Sequence, residues 1–224
     1  MQVECTSGMG EFKSILFDMD GVIVDSMRLH AECWIAVFKE YGVTLGLEDI
    51  FLREGMSGVG SIIDIFRSKG HSVPDREEMK RLQEQKLDLF ERRPVRLFPG
   101  IEEILGFLSR KGIVLGLVTG SLKRSVSHVL PAGVIAHFQS VITVDDIENG
   151  KPHPEPYLKG LEQVGFPPEE VLAVENAPLG IRSAKAAGLC CFAIATTLSE
   201  KYLENADRVF PSHAEFYSHI RKIF

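Results

Sequence analysis

Ser14-Ile15-Leu16-Phe17-Asp18-Met19-Asp20-Gly21-Val22-Ile23-Val24-Asp25-Ser26 is the stretch on which the reading of this chain turns. Ile15, Leu16 and Phe17 form a short apolar run with the character of a buried strand, and Gly21 marks the turn that ends it. Side chains alternate along a strand, so Asp18 and Asp20 point to one side, about 7 Å apart from the rise per residue. That gap admits a phosphoryl group between an attacking oxygen and a proton donor. An Asx-rich turn closing a strand accounts for the same residues without chemistry, so the rest of the chain has to decide.

From Gly100 onward, helical and strand textures alternate. Ile101 to Arg110 is amphipathic and Ile113 to Val118 is a continuous apolar strand; Leu122 to Leu130 is helical and Val141 to Val144 a strand. Tyr157 to Val164 is helical, Val171 to Val174 a strand, Leu179 to Ala187 helical and Cys190 to Ala193 a strand. Apolar runs buried on both faces and separated by helices specify a parallel sheet covered by helices. Residues from Ser26 to about Phe98 differ. Leu29, Cys33, Val37 and Tyr41, then Met79, Leu82, Lys86 and Leu89, recur at helical spacing with no strand-like run. The expected architecture is a Rossmann-like α/β core (1–25 and 94–224), with helices on both faces and an all-helical cap (26–93) inserted after the first strand.

Ligands of an open parallel sheet lie at the carboxyl ends of its strands. Asp18 and Asp20 end one strand, Thr119 ends another, Glu175 and Asn176 follow a third, and Lys151 lies in the loop after the Val141 strand. The polar outliers thus converge on one edge of the sheet. Thr119-Gly120-Ser121 joins a strand to a helix start, where a hydroxyl and free N–H groups make an anion site. Lys151 is held in a loop stiffened by Pro152, Pro154 and Pro156, which suits a fixed point charge.

Composition narrows the classes. A chain of 224 residues with 45% hydrophobic and 25% charged residues is ordinary for a globular protein with a real core. A net charge of −6 with no basic stripe argues against a nucleic-acid surface. No apolar stretch is long enough to span a bilayer. Met1 to Gly10 lacks the pattern of a secretory signal and reads as a loose leader, with cytoplasmic location as the default. Cys5, Cys33, Cys190 and Cys191 lack zinc-site spacing, and the last two sit in an apolar run where cysteine acts as a small hydrophobe.

Asp18-Met19-Asp20-Gly21, followed in order by Leu117 to Ser121, Gly150 to Tyr157 and Val174 to Ile181, resembles the four motifs of the haloacid dehalogenase superfamily, in its β-phosphoglucomutase-like branch. The resemblance implies a phosphatase working through an aspartyl phosphate on Asp18. Asp20 would be the acid and base, and closely spaced carboxylates would help Asp20 keep a proton to donate. It implies Mg²⁺ held by Asp18, Asp20 and the Glu175-Asn176 segment, with phosphate bound by Thr119, Gly120, Ser121 and Lys151. Where many relatives carry Glu-Asp, this chain has Asn176, which keeps an oxygen ligand and loses a charge. His30 and Lys86 match positions near the substrate of sugar-phosphate relatives, although a core histidine and a surface lysine explain them equally. Gly55 to Gly60 lacks the preceding strand of a dinucleotide site and reads as a cap loop facing the substrate.

The implied function is hydrolysis of a small, sugar-like phosphate monoester by a monomer or weak dimer. The alternative is a β-phosphoglucomutase-type isomerase, which needs a second phosphate grip; the arginine that supplies it in such enzymes falls near Ser61 here. A catalytically silent binding protein on the same fold is the third reading, and it has only Asn176 in its favour.

Overall fold

The computed structural model describes residues 12–224; Met1 to Gly10, read above as a leader, lie outside the described residues. Six parallel strands make one sheet: β1 (Ser14–Phe17), β4 (Val114–Val118), β5 (Phe138–Ile142), β6 (Val171–Glu175), β7 (Cys190–Ile194) and β8 (Arg208–Phe210). Their spatial order is β5-β4-β1-β6-β7-β8. The helices of this core are α5 (Ile101–Arg110), α6 (Lys123–Val129), α7 (Ala132–Ile135), α8 (Glu155–Val164), α9 (Pro178–Ala186) and α10 (His213–Ile223). A two-stranded antiparallel ribbon of β2 (Val24–Asp25) and β3 (Arg96–Leu97) flanks the insert. The insert holds α1 (Met27–Glu40), α2 (Leu47–Phe51), α3 (Gly58–Ser68) and α4 (Arg76–Glu91).

The alternation of β1 explains why two layers of helices are needed. Ile15 and Phe17 enter one apolar cluster with Ile104, Leu108, Phe216 and Ile220, whereas Leu16 enters another with Tyr157, Leu161 and Ile181. A sheet apolar on both faces must be covered on both. The insert has its own apolar cluster, with Trp34, Phe38, Ile62, Ile65 and Leu82 buried together. Helix α1 serves both bodies: its Leu29 and Cys33 pack with the sheet-side cluster.

Register places the site. Phe17 pairs with Leu117 on one side and Val174 on the other. The residues immediately beyond these three strands therefore lie level with one another. Asp18 continues the ladder by donating its N–H to Val174 O at 2.9 Å. The chain then turns sharply: Gly21, at φ 85°, donates to Val24 O, and the amides of Ile23 and Val24 both reach Met19 O.

Some sequence expectations need correction. The strand expected at Val141 to Val144 runs Phe138–Ile142, and Val144–Asp146 is a 3₁₀ turn whose Asp146 accepts from the Thr143 amide and hydroxyl. Gly58 to Gly60 is not loop but the first turn of α3, capped by the Ser57 hydroxyl. Edge strand β8 and helix α10 complete the sheet beyond the last strand read from the sequence. Among the described residues, no helix is long and apolar enough to cross a membrane.

The contact between β4, β1 and β5 is tight enough to test. A Cβ on Gly116 would lie 2.6 Å from both Leu16 Cδ2 and Ser140 Oγ. Gly116→Ala should destabilise the fold by about 1–3 kcal/mol through overpacking. Thermal melting of the purified variant checks this, and an unchanged midpoint would mean the sheet is looser than this packing.

Candidate active site

Lys151 occupies the centre of the sheet's carboxyl edge. Its ammonium donates to Asp18 Oδ1 at 2.6 Å, to Glu175 Oε1 at 2.6 Å and to Val118 O at 3.2 Å. All three side chains are buried. Two carboxylates crowded in a low dielectric need a cation between them, and removing it would leave uncompensated charge costing about 3–5 kcal/mol. The Tyr157 hydroxyl donates to Glu175 Oε1 at 2.7 Å, and the Asn176 amide N–H to Glu175 Oε2 at 3.1 Å. Glu175 is thus occupied in holding Lys151. Gly180 gives it room, since a Cβ there would stand 1.9 Å from Glu175 Oε1.

The two aspartates sit in opposite environments. Burial pushes the Asp18 carboxyl up to about 8; Lys151 opposes this, and the negative charges of Glu175 and Asp20 reinforce it. Asp20 is also buried, but the hydrogen bonds it accepts from His30, Ser26 and Ser121 hold its carboxyl well below the usual range. Ser26 Oγ donates to Asp20 Oδ1 at 2.5 Å, His30 Nε2 lies 3.0 Å from the same oxygen, and Ser121 Oγ donates to Oδ2 at 2.9 Å. The expectation that proximity keeps Asp20 protonated is therefore reversed here. Three donors from two segments, the start of α1 and the loop after β4, outweigh the effect of burial.

Behind Asp20 stands a second buried chain of contacts. His30 stacks on Phe90 with ring centroids 4.1 Å apart, and its Nδ1 lies 2.6 Å from Lys86 Nζ. Since an ammonium only donates, Nδ1 accepts from Lys86 and Nε2 carries the proton that Asp20 receives. Burial brings the Lys86 ammonium down to about 8. Lys86 is thus buried in the cap rather than a surface lysine.

The cap also sends a carboxylate that the sequence reading missed. Glu54, between α2 and α3, accepts from Asn176 Nδ2 at 2.7 Å, and Asn176 Nδ2 also reaches Thr197 Oγ1 at 3.1 Å. Glu54 Oε2 and Asn176 Oδ1 are buried without a protein partner. Both sit where the Gly21 side chain would be, as a Cβ there would meet Asn176 Nδ2 at 1.9 Å and Glu54 Oε1 at 3.0 Å. Glu54 is one charged residue in an aperiodic segment, so nothing in its sequence context announces it. Thr119 is buried, its Oγ1 accepts from the Ser121 amide at 3.1 Å, and Gly120 approaches the cap closely, a Cβ there meeting Gly55 O at 3.0 Å. The candidate residues Asp18, Asp20, His30, Lys86, Thr119, Gly120, Ser121, Lys151, Glu175 and Asn176 lie in this one cluster or on the wall of the adjoining cavity of about 130 Å³.

The Asp18 environment has a measurable sign. Its folded-state affinity for a proton is raised from 3.8 to about 8, so its contribution to stability is present below pH 4 and lost as pH rises to 8. Asp18→Asn, in the absence of divalent metal, should melt a few degrees above the parent at pH 8, with the gap closing towards pH 4. Calorimetric melts across that range check it, and a pH-independent gap would contradict this electrostatic picture.

Residues 15–194 match the family model described as haloacid dehalogenase-like hydrolase. The chain is 30% identical over 200 residues to validoxylamine A 7'-phosphate phosphatase of Streptomyces hygroscopicus subsp. limoneus, covering 88% of this chain and 92% of that protein. It is 31% identical over 210 residues to SUPPRESSOR OF QUENCHING 1, chloroplastic, of Arabidopsis thaliana; that match covers 90% of this chain but spans only 19% of the plant protein. Among solved structures, "Putative beta-phosphoglucomutase from Bacteroides vulgatus" superposes with a TM-score of 0.85 at 35% identity, over 95% of this chain and 89% of that one. With the parallel sheet, the paired aspartates and the buried lysine at its carboxyl edge, these likenesses give one conclusion: the chain belongs to the haloacid dehalogenase-like hydrolases.

Proposed function

We propose that this protein is a Mg²⁺-dependent phosphatase that hydrolyses a small phosphate monoester through an aspartyl phosphate on Asp18. The observation that carries the reading is the contrast between the two aspartates: Asp18 faces a fixed ammonium, while Asp20 is steadied by three donors. In the first transfer an Asp18 oxygen attacks phosphorus, the bond to the leaving oxygen breaks, and Asp20 gives that oxygen a proton. In the second, Asp20 takes a proton from water as the water oxygen attacks phosphorus and the bond to Asp18 breaks. Asp20 gains its first proton only when the anionic phosphoryl group arrives and raises its proton affinity. Lys151, the Thr119 hydroxyl and the amides at Gly120 and Ser121 hold the phosphoryl oxygens.

The residues fit a hard divalent cation. Among the described residues no three His, Cys, Asp or Glu side chains form a metal cage, yet Asn176 Oδ1 and Glu54 Oε2 are orphaned buried oxygens beside Asp18. Asp18, the Asp20 backbone carbonyl, Asn176 and Glu54 are the oxygens that would hold Mg²⁺; Glu175 is spent on Lys151 and Tyr157. The bound cation would supply the positive charge that keeps Asp18 ionised and nucleophilic. On this reading the cap restores the charge that Asn176 lacks.

Hydrolysis is preferred to phosphoryl return because Ser61 lines the cavity near the position where phosphoglucomutase-type relatives carry an arginine, and the guanidinium of the cap's Arg53 is taken by Asp64, Asp49 O and Ser68. A panel of phosphate esters, assayed for free phosphate and for isomerised sugar phosphate, decides between them. Asp18→Asn should lose activity by about 10⁴-fold or more; near-native turnover would end the covalent mechanism. In Mg²⁺ titrations by calorimetry, Asn176→Asp should bind more tightly and Glu54→Gln about 10- to 100-fold more weakly. Identical isotherms would exclude both residues from the metal site.

A further inference from the structure

The turn that carries Asp20 is buried from Met19 to Val24, so its carbonyls need donors from inside the protein. Two are met within the turn: Met19 O accepts from the amides of Val22, Ile23 and Val24, and Val24 O from that of Gly21. Three are met from elsewhere in the core. Gly21 O accepts from the Thr196 hydroxyl at 2.6 Å, Val22 O from His213 Nε2 at 2.7 Å, and Ile23 O from the Phe98 amide at 3.0 Å. Because a carbonyl only accepts, His213 Nε2 carries the proton. Asp20 O is the exception, with no donor reaching it among the described residues.

The three outside donors belong to separate elements: Thr196 follows β7, His213 opens α10 and Phe98 follows β3. Thr196 and His213 lie beyond the last of the four motifs, which ends at Ile181. His213 is 8% exposed, and its ring stacks on Phe98 with centroids 4.5 Å apart. It therefore supports two of the three bonds, its own and that of the Phe98 amide. Ser212 caps α10 by accepting from the Ala214 amide at 3.1 Å, which orders the helix start on which His213 stands. The anchored turn runs directly into β2, one of the two strands joining core to insert. A pull on β2 from the cap would displace Asp20 unless the backbone between them were held.

We propose that His213 and Thr196 are positioning residues for the Asp20 turn: with the Phe98 amide they fix three consecutive carbonyls, so that the C-terminal helix and the loop after β7 set where the Asp20 carboxyl and carbonyl stand. This inference rests on the phosphatase reading and its cation, and adds to it two residues that touch neither substrate nor metal. Losing either side-chain donor leaves a buried carbonyl unpaired, and the turn shifts to find another partner. Its neighbour Asp20 moves with it. The proton donor and one of the oxygens offered to Mg²⁺ are then both misplaced, while the phosphate grip at Thr119 and Lys151 is untouched.

Three variants test this. Thr196→Val and His213→Phe each remove one donor while keeping bulk, and His213→Gln returns an N–H. Mg²⁺ calorimetry reads the Asp20 carbonyl without turnover. Affinity should fall about 3- to 10-fold in Thr196→Val and His213→Phe, the worth of one hydrogen bond, and stay within about twofold of the parent in His213→Gln. With the ester of the panel that the parent uses best, kcat should fall about 10- to 100-fold in His213→Phe with KM nearly unchanged, as a displaced proton donor requires. His213→Gln should restore most of that loss. Lower melting temperatures with parental isotherms and kcat would make both residues structural only and overturn the inference. So would His213→Gln behaving like His213→Phe, or a parent that binds no Mg²⁺. If His213→Phe does not fold, Thr196→Val decides by the same two readings. A parent that binds Mg²⁺ yet releases phosphate from no ester defeats the phosphatase reading alone, and the isotherms still decide the role of the two residues.

Discussion

Everything at the working edge of this molecule depends on one buried ammonium between two carboxylates. Lys151 touches Asp18 and Glu175 at 2.6 Å each, and without it neither acid could lie so deep at the ends of adjacent strands. The parallel register sets the two acids side by side, which is an electrostatic cost the sheet cannot avoid. The lysine offsets that cost, Tyr157 fixes the second carboxylate, and the first keeps one oxygen for other work. Fold and chemistry are therefore coupled through a charge pattern, not merely located together.

The cap completes this pattern from the outside. Glu54 reaches Asn176 across the domain boundary, Tyr202 beyond β7 donates to Glu48 of α2, and Gly55 backs onto Lys151 and Gly120. The absence of a side chain at Gly55, Gly120 and Gly21 is what allows the two bodies to come this close. His30 and Lys86 then close the site on the side away from Lys151. The result is an enclosure whose floor belongs to the sheet and whose roof belongs to α1, α3 and α4.

The alternation of Ile15, Leu16 and Phe17, and the repeats of helix and strand after Gly100, made the sheet and its carboxyl edge legible without coordinates, because burial on both faces leaves continuous apolar runs. Asp18, Thr119 and Asn176 could be placed because each follows such a run. Other features had no such marker. Glu54 belongs to no periodic segment, and Arg208 to Phe210 is too short an edge strand to leave a pattern. The charge state of Asp20 depends on Ser26, His30 and Ser121, which are brought together only by the folded chain; local spacing to Asp18 pointed the other way. Lys86 stayed open between a position near the substrate and a surface position because its neighbours on α4 are charged; its own face of the helix is turned inward against Trp34 and Phe90.

The β2–β3 ribbon has an evolutionary consequence. Val24 pairs with Leu97 and Asp25 with Arg96, so the insert departs from and returns to the core at a single point. A module joined through adjacent ends can be lengthened, shortened or replaced without altering the order of the sheet strands or the loops that carry Asp18 and Lys151. Only those of its residues that reach inward, Glu54 against Asn176 and Lys86 against His30 among them, are then constrained by what they touch. The rest of the insert is free to drift, which lets one catalytic floor serve under many different roofs.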